Sequence, residues 1–142
     1  MKDVAYIALG SNLGDRAGWL AMARERIAAL PRSSLLGVST VEETAPIGPV
    51  DLGPYLNQMI AIETELSPRE LLEHLHLIER AAGRERGERW GPRTLDLDIV
   101  MSEGQSLDEP GLTVPHPELP HRDFWRREPA ELGRGSTAEE AR

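Results

Sequence analysis

Apolar residues begin in a strand-like run. "VAYIALG" (4–10) is rich in β-branched and aromatic side chains and closes on a glycine, which predicts a β-strand. The period then changes: Trp19, Leu20, Ala23, Ile27 and Leu30 recur at helical spacing, predicting a helix over 16–30 that Pro31 and the following serines stop. "LLGVSTVEE" (35–43) reads as a second strand and "NQMIAIETEL" (57–66) as a third. Between them "TAPIGPVDLGPYL" (44–56) is broken by Pro and Gly; irregular loops of that length are usually functional. Ser67, Pro68 and Glu70 open a second helix with a cap, a first-turn proline and a capping-box glutamate. Its apolar face carries Leu71, Leu72, Leu75 and Ile78, and Gly83 marks its end. A polar arginine loop (84–93) leads to "LDLDIV" (95–100), and "LTVPHPELPHRDFW" (112–125) follows a polar turn.

The order β-α-β-β-α-β predicts an α+β, ferredoxin-like sandwich, a mainly antiparallel sheet with both helices on one face and right-handed crossovers. One domain spans 1–125. The remaining 126–142 are polar and lack aromatics, and read as a frayed helix or disordered tail.

The strand "LDLDIV" contains two interruptions. Side chains two apart on a strand share a face, so Asp96 and Asp98 stand side by side while Leu95, Leu97 and Ile99 face the other way. Like charges so placed need arginine, water or a divalent cation beside them. Mg²⁺ takes one or two protein carboxylates and completes its shell with water and substrate phosphates, so "DLD" admits a metal site without requiring one. The preceding loop adds Arg84, Arg86, Arg89 and Arg93, interleaved with glutamates and glycines. Alone it would read as a solvated, salt-bridged surface. Beside paired carboxylates it reads better as a phosphoryl-transfer site, since arginine forks grip phosphate oxygens bidentately.

Composition narrows the chemistry. A net charge of −8 disfavours general nucleic-acid binding, and the absence of cysteine excludes disulfides, thiolate metal sites and cysteine nucleophiles. Lys2 is the single lysine, so phosphate would be held by arginine, backbone amides or metal. No long apolar run suggests a membrane span and the N-terminus lacks a signal-peptide layout, so the expectation is a cytoplasmic protein. "GSNLGD" lacks a phosphate-loop ending and reads as a turn and helix cap. Tyr55 and Phe124, in an aromatic-poor chain, are candidate stacking surfaces; Trp90 could cap a flat ligand, and Asn57 could read a heterocycle's edge. His116 suits phosphate contact better than Mg²⁺ ligation, and His74 and His76, two apart on a helix, make no metal pair.

"YIALGSNLGDR", "YLNQMIAIET", "IERAAGRERGERWGPRTLDLDIV" and "LTVPHPELPHRDF" together resemble the 6-hydroxymethyl-7,8-dihydropterin pyrophosphokinases of folate biosynthesis, over residues 4 to about 125. The resemblance implies the same ferredoxin-like fold and transfer of pyrophosphate from ATP to the pterin's hydroxymethyl oxygen, releasing AMP. It implies that Asp96 and Asp98 hold two Mg²⁺ ions, and that Arg84 and Arg93 join them as catalytic residues. The pterin would stack between Tyr55 and Phe124, read by Asn57, Thr44, Ala45 and Ile47, with Trp90 and Arg122 as further contacts. ATP would meet Leu72, His76, Glu79, Arg84, Arg86, Arg93, Ile99, Thr113 and His116. Three features depart from the family's pattern. His76 stands where a glutamine is familiar, Gly111 where some members carry arginine, and the polar segment after Phe124 where an apolar helix normally continues. The implied partners are ATP and the pterin, with no nucleic acid or membrane, and a monomer is expected. Two alternatives remain: a Mg²⁺-dependent phosphohydrolase, and a non-catalytic pterin- or nucleotide-binding module.

Overall fold

The computed structural model describes residues 2–12, 14–44, 54–83, 95–117 and 119. Its elements are β1 (Asp3–Ser11), α1 (Arg16–Ala28), β2 (Ser33–Val38), β3 (Glu42–Thr44), β4 (Tyr55–Thr64), α2 (Pro68–Ala81), β5 (Asp96–Ser102), β6 (Leu107–Glu109) and β7 (Leu112–Val114). The main sheet runs β2-β4-β1-β5, with β3 also on β4, and every pairing in it is antiparallel. Strands from the two β-α-β halves thus interleave, as the ferredoxin-like arrangement requires.

Alternation along β1 decides what each face does. Ala5, Ile7 and Leu9 pack with Ile60 and Ile62 of β4, Leu97 and Ile99 of β5, and the apolar stripes of both helices. The opposite face has its own buried cluster, in which Tyr6, Ala8, Met59, Ala61 and Val100 are gathered. Both faces of the central strands are therefore covered, which explains why β1 reads as nearly continuous apolar sequence rather than a clean alternation.

The segment expected as one strand over 35–43 is two. Ser39 interrupts it: its amide donates to the Met59 carbonyl (2.8 Å), its hydroxyl accepts the Met59 amide (2.9 Å), and its carbonyl accepts Gln58 Nε2 (2.7 Å). Side-chain groups take over ladder bonds there, so β2 ends and β3 restarts on the same edge of β4. The 107–114 stretch also forms a hairpin, β6–β7, that polar sequence had concealed; Leu112 and Val114 enter the main core.

α2 is the better specified helix. Ser67 caps it, accepting from the Glu70 amide (3.1 Å), while the Ser67 amide donates to Glu70 Oε1 (2.9 Å). That bond holds the Glu70 carboxyl below the usual carboxylate range. A lowered folded-state value means the contribution is complete above the ordinary range and is lost as pH falls through the lowered value. Ser67→Ala should destabilise the protein by about 1 kcal/mol in urea unfolding. The stability gap between wild type and Glu70→Ala should narrow on acidification; a gap independent of pH would refute the box.

Candidate active site

Residues opposite one another on neighbouring strands share a face, so sheet register alone builds much of the site. Asn57 of β4 lies opposite Gly10 of β1, and Gly10 opposite Asp96 of β5. In the adjacent row, Met59 faces Ala8 and Ala8 faces Asp98. Tyr55 pairs with Thr44 of β3, and the Asn57 side-chain amide donates to the Thr44 hydroxyl. Thr44, Tyr55 and Asn57 thus form one wall, Asp96 and Asp98 the other, on the face away from the helices.

Gly10 is the floor between them. A Cβ there would lie 3.4 Å from Asn57 Oδ1 and 3.5 Å from the Tyr55 ring. Any larger side chain would fill the trough. The sequence reads Gly10 as the end of the first strand and the start of a turn, whereas it lies within β1, where a glycine often marks close approach of a ligand.

The second part of the site wraps the outer edge of β5. Leu72, His76 and Glu79, spaced along one face of α2, line a cavity of about 380 Å³ with Asp96, Leu97, Asp98 and Ile99 of β5 and with Gly111, Leu112, Thr113, His116 and Pro117. The nucleotide and metal residues expected from the resemblance that fall in the described segments are thus gathered in one place. His74 is absent from this lining, whereas His76 is part of it, as their two-residue offset on the helix requires.

Two contacts fix this edge. The Leu97 amide donates to Glu79 Oε2 (2.8 Å), and the His116 amide donates to the Val100 carbonyl (2.7 Å). Val100 is the extra residue at a register shift, because Ile99 pairs with Ile7 but Met101 with Tyr6. Such bulges often re-aim groups beside active sites. The His116 ring follows its backbone: Nε2 stands 3.6 Å from Asp98 Oδ1, within Coulombic reach but beyond a hydrogen bond.

Asp96 and Asp98 are half-buried and offer hard oxygen donors. Among the described residues no group of at least three His, Cys, Asp or Glu side chains is arranged to hold a metal. Two half-buried carboxylates on one strand face suit a cation that draws its remaining ligands from water and a phosphate substrate, as Mg²⁺ does.

On the other wall, Arg16 ties the start of β4 to β3. Its guanidinium donates to the Pro54 carbonyl (2.8 Å) and pairs with Glu43 (3.0 Å). Sequence reading gave Arg16 only the start of a helix; its partners lie too far along the chain to be legible.

Ala45, Ile47, Arg84, Arg86, Trp90, Arg93, Arg122 and Phe124 lie outside the described residues, as do the arginine loop and the tail.

The model of one family, 7,8-dihydro-6-hydroxymethylpterin-pyrophosphokinase, matches residues 6–133. The chain belongs to this family. It is similar to the 2-amino-4-hydroxy-6-hydroxymethyldihydropteridine pyrophosphokinase of Bacillus subtilis, with 43% identity over 124 residues, covering 87% of this chain and 74% of the relative. The protein of the same name from Pseudomonas aeruginosa is also 43% identical over 124 residues, covering 87% of this chain and 76% of that one. A Lactococcus lactis protein named Bifunctional protein FolKE is 37% identical over 122 residues, 86% of this chain but 35% of the relative. The matched region takes in both walls and the β5 edge, so family membership and sheet register concern the same residues.

Proposed function

We propose that this chain transfers the β,γ-pyrophosphoryl group of ATP to the hydroxymethyl oxygen of 6-hydroxymethyl-7,8-dihydropterin, in folate biosynthesis. The substrate hydroxyl oxygen forms a bond to the β-phosphorus, the bond from that phosphorus to the α-phosphate oxygen breaks, AMP leaves and the hydroxyl proton is lost. The observation that carries the reading is the Asn57–Gly10–Asp96 row, which sets an amide able to read a heterocycle and a carboxylate able to serve phosphate chemistry either side of a bare glycine.

In this reading the pterin lies over Gly10, its ring against Tyr55 and its edge on Asn57 and Thr44. Asn57 is 8% exposed; one N–H of its Nδ2 bonds the Thr44 hydroxyl, and its Oδ1 lies beside Gly10, where it can accept from the ligand's N–H groups. ATP occupies the cavity at the β5 edge, with Leu72, His76, Ile99 and Thr113 around the nucleoside and His116 towards the phosphates. Asp96 and Asp98 would hold Mg²⁺, supplied as two ions, which neutralises triphosphate charge and favours in-line displacement. We assign Arg84, Arg86 and Arg93 to the phosphates, Ala45, Ile47, Trp90 and Arg122 to the pterin, and Phe124 to its second face. These assignments rest on family membership. We further place the enzyme in the cytoplasm as a monomer; no helix of the described residues is long and apolar enough to cross a membrane.

Incubation with ATP, Mg²⁺ and the pterin, followed by nucleotide chromatography, tests the reaction. Pterin-dependent AMP is expected. ADP and phosphate without pterin dependence would instead support a phosphohydrolase, and bound pterin without turnover a binding module. Asp98→Ala should leave pterin binding within a few-fold of wild type and abolish turnover; retained turnover would remove Asp98 from the site. Gly10→Val should fold, since valine suits a strand, yet weaken pterin binding by roughly a hundredfold while ATP affinity changes little. Equal loss of both ligands in calorimetric titrations would refute Gly10 as the pterin floor.

A further inference from the structure

Leu97 lies between the two aspartates, and its amide points out of the sheet. β5 ends the strand order, paired on its inner side with β1; among the described residues no strand pairs with its outer side. The buried Leu97 amide is met instead by a side chain from α2, Glu79 Oε2 at 2.8 Å. Glu79 is 3% exposed. Burying a carboxylate is costly unless it is bonded in place, and a neutral acceptor could satisfy an amide with less desolvation. Its use here acquires a reason from what flanks the amide.

We propose that Glu79 is a positioning residue: by clamping the Leu97 amide it fixes the backbone between Asp96 and Asp98, and with it the direction in which both carboxylates meet a divalent cation. The inference rests on the reading of Asp96 and Asp98 as cation ligands. The clamped amide belongs to the Asp96–Leu97 peptide and Asp98 follows Leu97 directly, so a displacement of the strand backbone at Leu97 would move both carboxylates. Mg²⁺-type cations demand near-ideal octahedral geometry, and misplacement by an ångström is enough to cost about a hundredfold in rate. α2 can supply a fixed anchor, because its start is capped by the Ser67–Glu70 box and Leu71, Leu75 and Ile78 are buried in the core.

Reach and charge can be separated. Glu79→Gln keeps an acceptor oxygen at the same reach and removes the charge; Glu79→Asp keeps the charge and shortens the side chain by one methylene. The measurements, on the full chain, are hydrogen exchange of the Leu97 amide by NMR and Mn²⁺ affinity by electron paramagnetic resonance, with a non-hydrolysable ATP analogue present. Positioning predicts that Glu79→Asp speeds Leu97 exchange and weakens Mn²⁺ by roughly tenfold each, while Glu79→Gln stays within about threefold and pterin affinity holds in both.

A Gln variant that loses Mn²⁺ as the Asp variant does would show that the charge acts directly, and would overturn the proposal. So would an Asp variant with unchanged Mn²⁺ affinity, whether or not Leu97 exchanges faster. A parallel fall in melting temperature and in pterin, ATP and Mn²⁺ affinity would reveal a purely structural glutamate and would also overturn it. Asp98→Ala is the control: unchanged Mn²⁺ there would refute the cation reading itself, whereas lost Mn²⁺ there with none lost in Glu79→Asp would refute only the role of Glu79.

Discussion

β5 must satisfy two demands that ordinarily conflict. It ends the strand order, so the hydrogen-bonding groups on its outer side have no neighbouring strand among the described residues to meet them. It also carries Asp96 and Asp98, whose chemistry needs a defined backbone. An edge left open would invite pairing with another chain and would hold its side chains loosely. Here the edge is closed by groups that also line the cavity: the Glu79 carboxylate on the Leu97 amide and the His116 amide on the Val100 carbonyl. Closing the sheet and building the nucleotide side of the site are accomplished by the same contacts, so the edge remains accessible to a ligand without remaining free to pair.

The division of faces follows from the period of a strand. Leu95, Leu97 and Ile99 point into the core beneath the helices, which leaves Asp96 and Asp98 no place but the other face. Across that face the register sets Ala8 and Gly10, the two smallest side chains available, next to the aspartates. Larger residues at those positions would have filled the trough. Further along the same strands the small pattern gives way to Tyr6, Met59 and Val100, which are buried. One face of one sheet therefore changes from packed core to open site within a few residues, and the change is made by side-chain size rather than by any bend in the topology.

Beyond the element order, which implied the antiparallel ferredoxin-like sandwich that the strand order has, what could be read from the chain alone was local. The α2 cap needs Ser67, Pro68 and Glu70 within four positions, and "DLDIV" declares both its strand and its odd polar face. Those features depend on neighbours in sequence, and the structure has them as expected. The break between β2 and β3 depends on Ser39 meeting Met59 and Gln58, nineteen or more positions on. Gly10 becomes informative only when Asn57 and Asp96 are known to flank it. Glu79 was placed in the site through family resemblance, but its bond to Leu97 joins residues 18 apart and has no local signature. Long-range register, not composition, is the missing quantity in each case.

That same register bears on the choice between a transferase and a hydrolase. Water needs no wall of its own, whereas a carbon-bound hydroxyl must be carried to the phosphorus on a heterocycle held at a fixed distance. Asn57, Gly10 and Asp96 lie on three neighbouring strands of a hydrogen-bonded sheet, so the distance from a heterocycle-reading amide to a carboxylate is set by strand spacing. A rigid separation of this kind converts an encounter between two substrates into a reaction within one complex, which can be worth several kcal/mol of barrier. The Asn57–Thr44 bond adds to it by removing rotational freedom from the amide before any ligand arrives. An enzyme that only hydrolysed its nucleotide would gain nothing from either feature, and the geometry of this face is best understood as that of a site for two organic substrates.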